Sequence, residues 1–346
     1  MDTRQSGDTR RILVWLPSPM GDAVLCTPAL RALRQGFASA RVTFYANQVV
    51  RQVLSPTAFC DCWLDQPGSC PLSTLRVLRQ GRFTHALLLK NSFGSAMACL
   101  AAAIPNRIGY ARDGRSLLLT DRLYPLRDER GALKCQPMPD YYLAVAEHLG
   151  CHAPDRSLEL AVDPEDREAL AARLPELAGA RGPLIVLVPG GTFGPSKCWP
   201  AERFAQTADW LVDRYQALVV VSVAPQEQER RIAGRIAAHC RHRPLSLADR
   251  PLTLGQIKAL LAGADLVITN DTGPRHIAIA LRRRVITLFG PNDPAWTDTG
   301  WPGEVQLVGK APCAPCASPT CKASGHLCME SISVEQVCQA AATVLG

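Results

Sequence analysis

Asp22 stands just after a glycine in "LPSPMGDAVLCTPALRALRQ" (16–35), where the apolar run "RILVWL" hands over to a helical pattern. An acid there has two uses. It can serve the free N–H groups at a helix start. It can also present a carboxylate at the carboxyl end of a strand, where open α/β sheets place their ligands. A second cluster lies in "ITNDTGPRHIAIAL". Thr272 or Asp271 can cap the helix that follows, and Gly273 lets another backbone come close. Free N–H groups at such a helix start suit a diphosphate. His276, one turn in, either faces the same crevice or packs into the core. In "VPGGTFGPSKCWPAERFA", a glycine-rich turn precedes Lys197, a pairing suited to phosphate oxygens. Neither G-x-x-x-x-G-K-[ST] nor G-x-G-x-x-G occurs there, which disfavours a P-loop NTPase and a standard dinucleotide oxidoreductase. In "APQEQER", Glu227 and Glu229 stand where a carboxylate can bind a ribose diol, or merely open a solvated helix.

The chain holds 14 cysteines. Cys313, Cys316, Cys321 and Cys328 fall close together near the C-terminus, with His326 among them. The first pair has the C-x2-C spacing of zinc sites, but the later spacings are loose. Packed thiols or a disulfide are the competing readings.

Strands must position these groups. In the first half they are expected at 11–16, 41–46, 84–90 and 106–110, with one helix over "GDAVLCTPALRALRQ" and another over 138–150, closed by Gly150. Residues 151–163 lack a clear period and read as a linker. The second half restarts with "PLIVLVPGG", "ALVVVSVAP", "ADLVITND" and "RVITLFGPND". These runs are nearly continuous in apolar character, as in strands covered by helices on both faces. Helical patterns alternate with them. The reading is an α/β chain of two doubly wound domains, 1–160 and 161–346. A length of 346 residues suits two domains.

No apolar run approaches a membrane span, and "MDTRQSGDTRR" lacks the apolar core of a secretory signal. A cytoplasmic location is expected. The net charge is +7, and residues 1–160 carry +6 of it. A basic N-terminal half fits an anionic partner. Aromatics are sparse and no nucleic-acid motif occurs, so nucleic acid is not expected.

Taken in order, "ILVWLPSPMGDAVLCTPALRALR", "VPGGTFGPSKCWPAERFA", "NDTGPRHIAIAL", "VITLFGPNDP" and "CAPC…C…HLCM" resemble the ADP-heptose–lipopolysaccharide heptosyltransferases, nearest to type II. The resemblance runs from about residue 11 to 338. It implies a GT-B architecture, two Rossmann-like domains facing a central cleft, with acceptor mainly on the N-terminal domain and nucleotide sugar on the C-terminal one. It implies an inverting transfer of heptose from ADP-heptose to a phosphorylated, lipid-linked inner-core acceptor, the second heptose in particular. Asp22 matches the catalytic base. Thr192, Lys197, Glu229, Asp271, Thr272, Gly273 and His276 match donor contacts, Asp271 toward sugar hydroxyls. Arg112, Arg115 and Lys134 are candidate contacts to the acidic acceptor, or simply exposed solubilising side chains. No tightly bound cofactor is implied, and Mg2+ dependence stays undecided. Transient contact with the inner-membrane leaflet follows from the lipid-linked acceptor. The sequence also departs from the family pattern. Cys198 replaces a basic residue beside Lys197, Pro274 and Arg275 replace small or Met residues, and Ser18-Pro19 replaces Asn-Trp. The "VVVSVAP" turn lacks its usual glycine. Arg275 either restores the lost charge or points to solvent. These changes keep open a glycosyltransferase using another nucleotide sugar or glycan, and, further off, a non-catalytic sugar-nucleotide binder.

Overall fold

The computed structural model describes residues 10–66, 71–191, 193–323 and 325–346. The chain divides into two compact units between Ser157 and Leu158, inside the segment read as a linker. The first unit runs β1 (Arg11–Trp15), α1 (Met20–Leu25), α2 (Thr27–Gly36), β2 (Arg41–Ala46), α3 (Gln48–Leu54), β3 (Cys62–Asp65), α4 (Pro71–Gln80), β4 (His85–Leu88), α5 (Phe93–Ala101), β5 (Asn106–Tyr110), β6 (Asp121–Leu123) and α6 (Met138–His148). Its strands are all parallel, in the order β3-β2-β1-β4-β5-β6.

The second unit runs α7 (Pro164–Arg173), β7 (Leu184–Val188), α8 (Ala201–Tyr215), β8 (Leu218–Val221), α9 (Glu227–His239), β9 (Leu245–Ser246), α10 (Leu254–Gly263), β10 (Leu266–Asn270), α11 (Gly273–Ala280), β11 (Val285–Phe289), β12 (Glu304–Val308), α12 (Leu327–Glu330) and α13 (Val334–Leu345). Its parallel order is β12-β11-β10-β7-β8-β9. Counted within each unit, the two sheets share one Rossmann order, 3-2-1-4-5-6. The strand order therefore reverses between β1 and β4, and again between β7 and β10. Open α/β sheets bind ligands at that reversal, beyond the carboxyl ends of the strands.

Burial follows the sequence pattern. Leu13, Val14, Val186, Leu187, Val267 and Ile268 are inaccessible, because helices cover both sheet faces. In unit 1, Leu78 of α4 and Ala96 and Cys99 of α5 pack on Leu13, Trp15, Ala86 and Leu88. In unit 2, Phe204, Ala208 and Leu211 of α8 and Val337 and Ala341 of α13 share a core with Ile185, Leu187 and Val219.

The single helix expected after β1 is broken at Cys26 into α1 and α2. Pro28 has no N–H to give the carbonyl of Val24, and the Thr27 hydroxyl donates to that carbonyl instead, at 2.8 Å. α6 stops as expected near Gly150, which has φ +77°. Among the described residues no helix is long and apolar enough to cross a membrane.

Candidate active site

In unit 1, β1 ends at Trp15, and Pro19 precedes α1 in extended conformation. Asp22 is the third helical residue. Its backbone carbonyl accepts from Cys26 N at 3.0 Å, and Asn47 Nδ2 donates to Ser18 O at 3.0 Å, pinning the approach to the helix. The Asp22 carboxylate itself has no hydrogen bond or ion pair among the described residues. Burial without a compensating cation pushes its pKa up to about 6. The buried Tyr142 of α6 lies within electrostatic reach of both Asp22 and Arg112. A half-buried carboxylate titrating near neutrality is suited to accept a proton.

Of the three cations read as acceptor contacts, Arg115 is corrected. It is fully buried. Its guanidinium donates to the carbonyls of Tyr110 (2.8 Å) and Lys90 and to Asn91 Oδ1 (2.8 Å). It ties the loops after β4 and β5 together, and burial holds its pKa below the usual value. Arg112 pairs with Asp113 at 3.0 Å and stays partly accessible. Lys134 is exposed.

In unit 2, the turn after β7 needs its glycines. A Cβ on Gly190 would lie 2.4 Å from the Glu229 carboxylate, and one on Gly191 would lie 2.8 Å from Thr272 Cγ2. The turns after β7 and β10 therefore touch. Asn270 staples them: its Nδ2 donates to the carbonyl of Pro189 at 2.6 Å. Thr192 lies outside the described residues. Gly194 has φ +149° and faces Pro319 O, where any Cβ would collide. Ser196 Oγ donates to Ser318 O at 2.6 Å. The segment leading to Lys197 is thus held against Ser318 and Pro319.

Lys197 Nζ donates to Asp271 Oδ2 at 2.8 Å and to the Asp271 carbonyl at 2.9 Å, and it lies 4.5 Å from the Phe193 ring centroid. Asp271 Oδ2 also accepts from Asn292 Nδ2 at 3.1 Å. Arg275 neither points to solvent nor stands free as a replacement charge. It is buried, contacts Asp271 Oδ1 at 3.3 Å, and clamps Glu304 with two bonds of 2.6 and 3.0 Å. Thr287 Oγ1 adds a 2.5 Å bond to Glu304, and Arg275 stacks over Phe289 at 4.8 Å. Burial alone would raise the Asp271 pKa, but Lys197 and Arg275 overcome it and hold the group below the usual range. Glu304 is likewise held low, burial being outweighed by Arg275. The four charges sum to zero.

The Asp271 carboxylate, expected on sugar hydroxyls, is engaged on both oxygens by side chains of its own unit. Thr272 makes no side-chain cap to α11; Pro274 has no N–H and Arg275 N donates to Thr272 O at 3.1 Å, so Gly273 supplies the N–H left over in that first turn. Burial, with Arg275 second, drives the His276 pKa down to about 3, so the ring is neutral. Its Nδ1 is buried and has no partner among the described residues. Glu229 Oε2 accepts from Ala224 N at 2.7 Å, closing the turn that lacks a glycine. Where the family pattern has a basic residue, Cys198 has a thiol pushed up to about 11 by burial and by Glu229. The site therefore offers one ammonium, an uncapped helix start and a neutral imidazole, an arrangement able to hold a diphosphate.

Cys313, Cys316, Cys321 and Cys328 are the cysteines read as candidate zinc ligands. Among the described residues no three His, Cys, Asp or Glu side chains are placed to hold a metal ion, and Cys321 Sγ instead approaches Gly325 O at 3.2 Å. Sequence reading missed Glu304 and Asn292. Asn292 sits in the quoted "FGPNDP" motif without a role; Glu304 lies 29 residues beyond Arg275, with nothing local to mark it.

Residues 72–326 match the model of glycosyltransferase family 9 (heptosyltransferase). The chain belongs to this family. It is a glycosyltransferase. It is 30% identical to lipopolysaccharide heptosyltransferase 2 of Escherichia coli K12, over 83% of this chain and 84% of that protein. Against the lipooligosaccharide heptosyltransferase 2 of Campylobacter jejuni serotype O:2 the identity is 23%, over 97% and 98%. The structure of E. coli ADP-heptose lps heptosyltransferase II superposes with a TM-score of 0.78 at 24% identity, covering 97% of this chain and 98% of that one. A family 9 transferase from Veillonella parvula gives 0.81 at 23% identity, covering 98% and 97%. The fold is the pair of Rossmann-like α/β units of GT-B heptosyltransferases.

Two outcomes follow for this family 9 enzyme. With Asp22 as the base, kcat/KM should fall about tenfold per pH unit below 6 and level off above it, because only the ionised carboxylate accepts a proton. An acid limb near pH 4 would remove the desolvated carboxylate from that role. Arg115→Met should lower stability by about 3 kcal/mol, since it strands buried carbonyls. Thermal or denaturant unfolding measures it, and an unchanged midpoint would contradict the structural role.

Proposed function

We propose that the chain moves heptose from ADP-heptose to the inner core of lipopolysaccharide, adding the second heptose. The observation that carries this reading is the 30% identity to lipopolysaccharide heptosyltransferase 2 over 83% of this chain and 84% of that protein. Unit 2 takes the donor and unit 1 the acceptor. Lys197 and the N–H groups opening α11, at Thr272 and Gly273, meet the diphosphate. Neutral His276 offers a ring nitrogen to the same ligand, and Glu229, in the first turn of α9, faces the ribose. Asp271 acts as a positioning residue: it fixes the ammonium of Lys197 rather than gripping the sugar.

The acceptor oxygen forms a bond to the anomeric carbon as the bond from that carbon to the diphosphate oxygen breaks. The electron pair leaves with ADP, and the acceptor proton passes to Asp22. One displacement inverts the centre and needs no covalent intermediate. Lys197 and the α11 N–H groups stabilise the charge growing on the leaving diphosphate. Arg112 and Lys134 give the phosphorylated acceptor its cationic contacts. A lipid-linked acceptor places the work at the cytoplasmic face of the inner membrane.

The test is direct transfer. Purified protein, ADP-heptose and an inner-core acceptor carrying one heptose should yield, by mass spectrometry, a product heavier by one heptose. Running it with and without a chelator decides whether Mg2+ contributes. ADP-heptose bound but not transferred would overturn the acceptor assignment, and failure to bind it would overturn the donor.

A further inference from the structure

Between α4 and α5 the first unit carries a cavity of about 450 Å³, lined mainly by apolar side chains that include Leu72, Leu75, Met97 and Ala98. Two residues of its lining, Trp15 and Lys90, carry polar groups without a use so far. Trp15 is only 6% exposed, and its Nε1 is buried with no hydrogen-bond partner among the described residues. Lys90 reaches the same cavity, and only its backbone takes part in the bonds described above. A buried indole N–H without an acceptor is costly in a finished core. The indole N–H is closed off from the cavity, and Lys90 is the lining residue that can meet a ligand oxygen.

The outer wall is unusual as well. α5, "FGSAMACLA", contains no charged residue. One face, with Ser95, Ala96 and Cys99, is buried in the unit. Its opposite face, with Phe93, Met97 and Leu100 at i, i+4 and i+7, is exposed. Leu72, at the start of α4, is 76% exposed, and Leu117, on a short turn after β5, is 88% exposed. Contiguous exposed apolar side chains on a globular unit mark a contact surface. The chain around them is rich in cations, and the acid beside Phe93, Asp113, is paired to Arg112. From Gln66 to Arg112 the sequence contains Arg76, Arg79, Arg82, Lys90, Arg107 and Arg112 and not one Asp or Glu. An apolar face set in a cation-rich stretch complements an anionic lipid surface: the apolar groups enter the acyl boundary and the cations meet phosphates.

We propose that unit 1 docks on an anionic phospholipid bilayer through the α4–α5 face, with one acyl chain entering the cavity. Lys90 then meets the oxygens at the head of that lipid. This deepens the membrane-side location given above, but its observations are independent of donor and acceptor identity.

The test is co-sedimentation of the full chain with vesicles of phosphatidylglycerol and phosphatidylcholine, against vesicles of phosphatidylcholine alone. The wild-type chain should partition onto the anionic vesicles at least tenfold more strongly. The triple variant Leu72→Ser, Phe93→Ser, Met97→Ser should lose at least tenfold of that partitioning, keep its melting temperature, and keep its transfer rate onto a deacylated, water-soluble acceptor. Arg76→Gln with Arg82→Gln, which leaves the apolar face intact, should reduce the preference for anionic vesicles. No wild-type binding to anionic vesicles, or equal binding by the triple variant, would overturn the proposal. Vesicle binding without transfer by the wild-type chain would support docking while counting against the function proposed above.

Discussion

The buried run Lys197–Asp271–Arg275–Glu304 sets the geometry of the second unit's site. These side chains come from the segment after β7, from the turn after β10, from α11 and from β12. No single element could hold them. Taking four charges out of water is expensive, and their mutual attraction repays it only where the geometry is good and every lone pair has a donor. Here Thr287, Thr297, Asn292 and Gln306 supply the remaining bonds. Removing one charge would leave its partner buried and unpaired, a cost of about 3–5 kcal/mol. The network therefore locks Lys197 in place before any ligand arrives. Because it is neutral in sum, it attracts an anion through the placed ammonium and the start of α11, not through surplus charge.

The two site aspartates show how surroundings divide one residue type into two roles. Asp271 is buried among cations and stays ionised well below neutrality. Asp22 is desolvated with no cation and titrates near 6. The first can hold a cation but is a poor base. The second is free to take a proton and is basic enough to do so near neutral pH. Both stand at carboxyl ends of strands flanking the reversal of strand order, Asp22 beyond β1 and Asp271 beyond β10. The same sheet topology thus serves both ends of the proposed reaction.

The central strands were legible because helices on both faces force continuous apolar, β-branched runs. Four strands escaped sequence reading: β3 (CWLD), β6 (DRL), β9 (LS) and β12 (EVQLV). All four are sheet edges. An edge strand is covered less, so its sequence carries no continuous apolar signal. The break at Cys26 was visible in principle, since Pro28 cannot bond back to Val24. Lys197 and Asp271 stood out as motif residues, but their pairing across 74 residues did not. Arg115 and Arg275 looked like surface or ligand cations because an arginine's type says nothing about what encloses it. Glu304, on an edge strand, has no local pattern at all. What sequence could not supply is long-range pairing of charges.

The sharpest test of the central claim is a double-mutant cycle on Arg275 and Glu304, read by calorimetric ADP binding. If the pair acts as one unit that fixes Asp271 and Lys197, Arg275→Met and Glu304→Gln should each weaken ADP binding about tenfold or more. The double variant should then bind no worse than the weaker single, a coupling of at least ~1.4 kcal/mol. Losses that simply add, or single variants that bind ADP as the parent does, would contradict the account.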